Sequence, residues 1–408
     1  VIEDKVPSIR RDLDFFPVQY RGKQMIVIRD HLGLVQEGKA IEFPLYQVMT
    51  LLDGTRSIRD LQMALMRQRG GMLVGSDEVR SLLDQLDGSF FLESDSFKKA
   101  RNQIVERFTS MKIRPCSHCG HGYPLDPSEL RKKLDEILGS QPPASPPEGK
   151  VVGLVSPHID LSVGFKSYAR AYQLAKYTSP SKVVLLGVGH QVAGDFFCLT
   201  EKDFDTPLGI VKTDNAVVRK LREAGKHVVA SNDFAHRSEH SIEFQVLFLQ
   251  HLLRKDSFTI VPIICGSLLS ALPEYNRDAY LEKAGNFLEA LKEVLRDESC
   301  ETLLVAGVDF SHIGPKFGHE MPARYLQGQS EAHDRSLLNA LAMSDAEKYW
   351  EESRRVRDQY NVCGFAAMAC LLEAMPHCKG KLLHYQTWHE EATQSAVSFA
   401  SVVFTAKT

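Results

Sequence analysis

From Lys150 to the C-terminus, apolar runs of strand length alternate with amphipathic segments of helical period, and this alternation narrows the choice of fold more than any other feature. Strands are predicted over residues 151–156, 182–188, 258–264, 302–308, 382–387 and 397–405. Helices are predicted over 168–176, 215–223, 239–253, 280–295, 332–341 and 365–372. A run such as Val183-Val-Leu-Leu186 has no polar alternation, so such strands need cover on both faces. The expectation is an α/β domain whose central sheet carries helices on both sides. The last two strands follow one another without a helix, which makes the sheet mixed rather than purely parallel.

Open α/β sheets bind ligands just beyond the carboxyl ends of their strands. Here three strand ends deliver Pro157-His158-Ile159-Asp160, Gly187-Val-Gly-His190 and Asp309-Phe-Ser-His312. A helix start carries Ser238-Glu-His-Ser-Ile-Glu243, and Cys363-Gly364 opens another helix. Imidazole nitrogen suits zinc, copper and iron, and a thiolate favours softer ions. His158, His190 and Cys363 are therefore the candidate metal ligands. Cys363 equally suits a small buried residue packing a helix on the sheet. Asp309, His312, Glu239 and His240 form the candidate acid/base and orienting set. Glu239 also has a plainer use as a carboxylate at a helix N-terminus, and Glu243, one turn on from His240, suits either that residue's face or a solvated helix charge. Cys116-Ser-His-Cys119 has the spacing of half a zinc site, with His118 and His121 nearby, but no second pair completes it. Ser156 lacks a nucleophile-elbow context, and there is no Walker or GxGxxG loop. These absences argue against a serine hydrolase, a P-loop enzyme and a nicotinamide dehydrogenase.

The front of the chain reads as a separate small α+β unit of winged-helix type. A hairpin is expected from residues 24–28 through His31-Leu-Gly33 to 34–36. Three helices follow: 45–52 behind Pro44, 58–66 with Ser57 and Asp60 as a capping box, and 77–86 after Ser76, with a short strand over 89–93. A charged helix near 98–107 connects it to the rest. Residues 139–149 have linker composition, and composition alone puts a domain boundary there. With 49 basic against 52 acidic residues there is no net field to attract nucleic acid or an anionic membrane. The apolar runs fall far short of the roughly 20 residues that span a bilayer. The N-terminus, Val-Ile-Glu-Asp-Lys, lacks the apolar core of a signal peptide, so a cytoplasmic protein is expected. Its eight dispersed cysteines do not form a disulfide framework.

The motifs Ser156-Pro-His158, Leu186-Gly-Val-Gly-His190, Asp205-Thr-Pro207, Glu239-His-Ser-Ile-Glu243, Val308-Asp-Phe-Ser-His312 and Cys363-Gly364 together resemble the Memo family, specifically AmmeMemoRadiSam system protein B. The resemblance reaches back to Ser117-His118 and Gly120-His-Gly-Tyr-Pro124. It therefore implies one domain over 114–408, with 139–149 as an internal loop, a connecting helix over 96–113 and a front domain over 1–95. The family fold is similar to class III extradiol dioxygenases, which hold iron with two histidines and a glutamate. The resemblance implies His158, His190 and Cys363 as ligands, with Cys363 in the carboxylate's place and Asp309 and His312 in the same cleft. Pro157-His-Ile-Asp160 departs from the common Pro-His-Ala-Gly and puts an extra carboxylate, Asp160, near the pocket. Gln191 stands where some members have a second histidine, and Cys116 and Cys119 stand where small residues are usual. In the front unit, Leu52-Asp-Gly-Thr-Arg-Ser-Ile58 with Val79, Leu82, Leu83, Leu86 and Phe91-Leu92 resembles PqqD-like peptide-binding domains.

Three functions follow as expectations. The first is a metal-dependent oxidoreductase that uses a redox metal, iron foremost or else copper, with zinc as the cofactor of the third reading. The family resemblance implies that it acts with a radical-SAM enzyme and an AMMECR-type protein, and the PqqD-like resemblance implies that the front domain binds a peptide. The second is a non-catalytic module that binds a peptide or phosphopeptide. The third is a zinc hydrolase.

Overall fold

The computed structural model describes residues 5–406 apart from 193, 255 and 256. The reading of the N-terminus thus rests largely on residues 1–4, outside the described ones. The chain divides into two compact units, one ending at Ser110 and the other beginning at Met111.

The first unit is α+β: an antiparallel sheet of Leu13–Tyr20, Lys23–Asp30 and Ala40–Glu42 with helices Phe43–Met49, Ile58–Gln68, Ser76–Gly88 and Asp95–Thr109. Ser57 and Asp60 form the expected capping box. The hairpin differs from expectation. Lys23–Asp30 pairs with the preceding strand, because Arg21 and Gly22 both take positive φ and close a tight turn between them. Residues 31–35 instead fold around Asp30, whose carboxylate accepts the N–H groups of Leu32, Leu34 and Val35. The strand expected over 89–93 is reduced to one bridge between Ile9 and Leu92, since Phe90 adopts a left-handed conformation that breaks the extended run. Val79, Leu86, Phe91 and Leu92 are buried in this unit's core.

The second unit is built on an eight-stranded sheet. Its strands are β1 (Lys150–Ser156), β2 (Lys182–Val188), β3 (Phe197–Leu199), β4 (Thr259–Cys265), β5 (Thr302–Gly307), β6 (His312–Ile313), β7 (Lys379–Glu390) and β8 (Ser395–Ala406). The order is β6-β8-β1-β5-β2-β4-β3, with β7 paired to β8. Strands β1, β5, β2 and β4 are parallel, while β8 and β3 run antiparallel to their neighbours, so the sheet is mixed as expected.

Helices α1 (Pro127–Gly139), α2 (Phe165–Ala175), α3 (Asn215–Ala224), α4 (His240–Leu252), α5 (Arg277–Leu295), α6 (Ala323–Met343), α7 (Ala346–Val356) and α8 (Phe365–Ala374) cover both faces. Along β2, Val183 and Leu185 pack with α1, α2 and α4, while Val184 and Leu186 pack with α3, α5 and α8. Both faces are thus apolar, which is why the strand lacks polar alternation. Helix α6 begins well before the expected 332. Residues 139–149 lie inside this unit, pinned by Gln173 donating to Leu138 and Gln141 carbonyls and by Tyr177 donating to Ala144. Among the described residues, no helix is long and apolar enough to cross a membrane.

Helix α4 sits unusually close to the sheet. A Cβ on Gly307 would lie 2.2 Å from the Ser241 carbonyl oxygen, and one on Gly187 would lie 2.5 Å from Ser241 Oγ. Gly307→Ala should therefore force α4 off the strands and cost about 3 kcal/mol of stability. Urea unfolding measures this; a loss below about 0.5 kcal/mol, the size of an ordinary surface substitution, would show that the helix is not held so tightly.

Candidate metal centre

Three adjacent parallel strands end at the same edge. His158 follows β1, Asp309 follows β5 and His190 follows β2. Helix α4 brings its N-cap residue Glu239 and its first residue His240 over this edge, because Ser241 Oγ accepts the Val188 N–H at 2.9 Å. Cys363 arrives from the other face, ahead of α8. Gly364 permits this, since a Cβ there would meet Val308 Cβ at 2.5 Å.

The hydrogen bonds orient the imidazoles. His158 Nδ1 donates to the Gly307 carbonyl at 3.1 Å, which leaves Nε2 with its lone pair directed elsewhere. Cys363 Sγ is 3.8 Å from that nitrogen, and Asp309 Oδ2 is 3.7 Å from it. His190 Nδ1 donates to Glu239 Oε2 at 2.9 Å, again freeing Nε2. One donor atom each from His158, His190 and Cys363 lies within 4.8 Å of the others. His190, Glu239 and His240 form a second such group. There, however, Glu239 is already engaged, with Oε2 on His190 and Oε1 accepting the Ser241 N–H at 2.8 Å. His312 Nδ1 donates to the Phe310 carbonyl at 2.9 Å, and its backbone N–H to Tyr360.

Burial governs the charges. It pushes His158 down to about 4, aided by His190, His312 down to about 4 and His240 down to about 3, so all three are neutral near pH 7. Burial also opposes charge on His190, but the Glu239 carboxylate outweighs it and raises the imidazole above its ordinary value. Glu239 is in turn held well below the usual carboxylate range despite its burial. Burial lifts Asp309 to about 6 and pushes the Cys363 thiol far up, where Asp309 adds to the effect.

All seven residues singled out from the sequence gather here: His158, His190, Cys363, Asp309, His312, Glu239 and His240. Asp160 does not join them; it is exposed, and its carboxylate accepts the Ser162 N–H and hydroxyl in a turn. Glu243 is not a solvated charge. It is fully buried and paired with Arg114 at 2.6 Å, and it accepts from Ser117, His118 and Tyr123. Arg114 also donates to the carbonyls of His236 and Glu239. This anchor was not foreseen. A short strand, Ile113–Arg114, pairs with Asp203–Thr206 and delivers it. Cys116 and Cys119 are joined as a disulfide, so they offer no thiolates to a zinc ion. His118 lies with its ring centroid 5.2 Å from that of His240. Beside the centre opens a cavity of about 440 Å³, lined by His190, His312 and Cys363 and by apolar Leu268, Phe317 and Phe365.

The family model described as "Memo-like protein" matches residues 114–403. A MEMO1 family protein of Aquifex aeolicus is 31% identical over 401 residues, covering 98% of this chain and 99% of that protein. A MEMO1 family protein of Nitrosopumilus maritimus is 26% identical, covering 72% and 99%, and the memo-1 homolog of Caenorhabditis elegans is 27% identical, covering 77% and 87%.

The His190–Glu239 pair makes a direct prediction. By NMR, His190 should titrate above the ordinary histidine value in the wild type and below it in Glu239→Gln, where burial is opposed only by the weaker influence of Asp309. Equal titration in both would mean that the pair does not set the charge of His190.

Proposed function

The chain belongs to the Memo-like protein family, and on that premise we propose that it is a metal-dependent oxidoreductase holding iron or copper through His158, His190 and Cys363. The observation that carries this is the group of three donor atoms within 4.8 Å, in which both imidazoles have their other ring nitrogen fixed by a hydrogen bond. The donor chemistry fits a metal. His158 is neutral at pH 7 and needs to lose no proton, and a cation would offset the desolvation that otherwise keeps Cys363 protonated. The second group is the poorer site, because its carboxylate is already spent on His190 and on the helix N-terminus.

A redox ion held by His158, His190 and Cys363 would supply electron transfer and Lewis acidity at the cavity. The chain's residues hold and move protons beside it. His312, with Nδ1 held by the Phe310 carbonyl, lines the same cavity, and Asp309, held at about 6, can give or take a proton near neutrality. The apolar wall of Leu268, Phe317 and Phe365 would seat an apolar portion of the substrate. Action alongside a radical-SAM enzyme and an AMMECR-type protein is supported by the resemblance to system protein B. Presentation of a peptide by the first unit is supported by its PqqD-like apolar pattern.

Elemental mass spectrometry on protein purified without air or nickel tests the proposal. One redox metal per chain is expected in the wild type, with near-complete loss in His158→Ala and in Cys363→Ala. Zinc in its place would favour a hydrolase. No metal after reconstitution would favour a peptide- or phosphopeptide-binding module.

A further inference from the structure

The CxxC loop is the one chemical motif that the proposed metal centre leaves unused. Cys116 and Cys119 are the disulfide-bonded pair, while Cys198, Cys265, Cys300, Cys363, Cys370 and Cys378 are free. Both cysteines are half-buried rather than sealed in the core. A purely structural role explains it poorly. A cross-link gains stabilising power with the length of the loop it closes, and this one closes over only Ser117 and His118. The loop is already tied down by the Ser117 and His118 backbone N–H groups, which donate to buried Glu243 at 3.0 and 2.9 Å.

What the bond does constrain is His118. This residue lies inside the disulfide ring, its Nδ1 is 2.8 Å from Ser117 Oγ, and its ring packs at 5.2 Å on His240. His240 in turn lies 5.1 Å from His158 and 5.4 Å from His190 between ring centroids. A change in the ring's closure therefore reaches the candidate metal centre through two side-chain contacts.

We propose that Cys116–Cys119 is a second, redox-active site, which exchanges with a dithiol carrier and whose state sets the position of His118 against the pocket. Cys119 packs against the apolar core beneath the loop, leaving Cys116 as the sulfur for an incoming thiolate to meet. The carrier sulfur bonds to Cys116 Sγ, the Cys116–Cys119 bond breaks, and Cys119 leaves as a thiolate. The carrier's second thiol then attacks its own sulfur in the mixed disulfide, closes the carrier disulfide and releases Cys116. Two electrons pass from carrier to protein, and the carrier's two thiol protons end on the two cysteines. The proposal holds whichever metal, or none, occupies the neighbouring pocket.

The test uses the full native chain without denaturant. After incubation with dithiothreitol, iodoacetamide labelling read by peptide mass spectrometry should rise from near zero to near complete at Cys116 and Cys119 together, and reoxidation of the reduced protein with oxidised glutathione before labelling should return it to near zero. In the same samples the imidazole NMR signals of His118 and His240 should shift, and the C116S/C119S variant should show the reduced pattern in both buffers. Labelling only after denaturation would overturn the proposal in favour of an inert cross-link. Thiols already free and not reoxidised would overturn it as well. Exchange that leaves His118 and His240 unmoved would overturn the coupling to the pocket.

Discussion

The contact on which the candidate site depends is the seating of α4 on the strand ends at Gly187 and Gly307. Only glycine leaves room for the Ser241 carbonyl and hydroxyl, and that proximity lets Ser241 Oγ take the Val188 N–H. From this follow the positions of Glu239 and His240 over the edge where β1, β5 and β2 end. The Arg114–Glu243 pair locks the same helix from its other side, with Arg114 also bonded to the Glu239 carbonyl. Truncating either partner of such a pair would leave a buried charge uncompensated, which typically costs about 3–5 kcal/mol. The pocket is thus held by backbone proximity on one side and by a satisfied ion pair on the other.

The electrostatics follow from burial acting on a crowded cluster. Four imidazoles and two carboxylates share a small desolvated volume, and burial keeps His158, His240 and His312 neutral. Only His190, with Glu239 against its Nδ1, is biased toward the charged form. Neutral His158, its Nε2 left free by the bond from Nδ1, is a ready ligand, whereas His190 gives up a proton to bind, and a thiol pushed far up by burial waits for a cation to take its proton's place. Asp309 stands apart at about 6, hydrogen-bonded to the His158 backbone N–H and close to neutrality in its titration.

Much of the fold was legible because each central strand is apolar on both faces, a pattern that tertiary context cannot disguise. The gathering of His158, Asp309 and His190 was legible for the same reason, since strand ends in such sheets converge on one edge. The partnership of Glu243 was not. A glutamate in the first turn of a helix reads as a solvated or dipole-favoured charge, and its partner Arg114 is distant in sequence and arrives on a strand of two residues. Helix α7 escaped notice because its buried side is confined to Tyr349, Trp350, Ser353 and Val356, although Asp345 caps it visibly. The first hairpin was misplaced because Arg21-Gly22 is a less familiar turn pair than Asn-Gly, yet both residues adopt the positive φ that such a turn requires.

The central claim is that the two histidines and the cysteine hold one metal ion together. X-ray absorption at the metal edge of the loaded protein tests this most directly. The account predicts one sulfur bonded to the metal alongside imidazole nitrogens, with the sulfur signal lost in Cys363→Ser and the imidazole signal reduced in His158→Ala when each variant is loaded with excess metal to overcome its weakened binding. A metal surrounded only by nitrogen and oxygen, unchanged by either substitution, would contradict it.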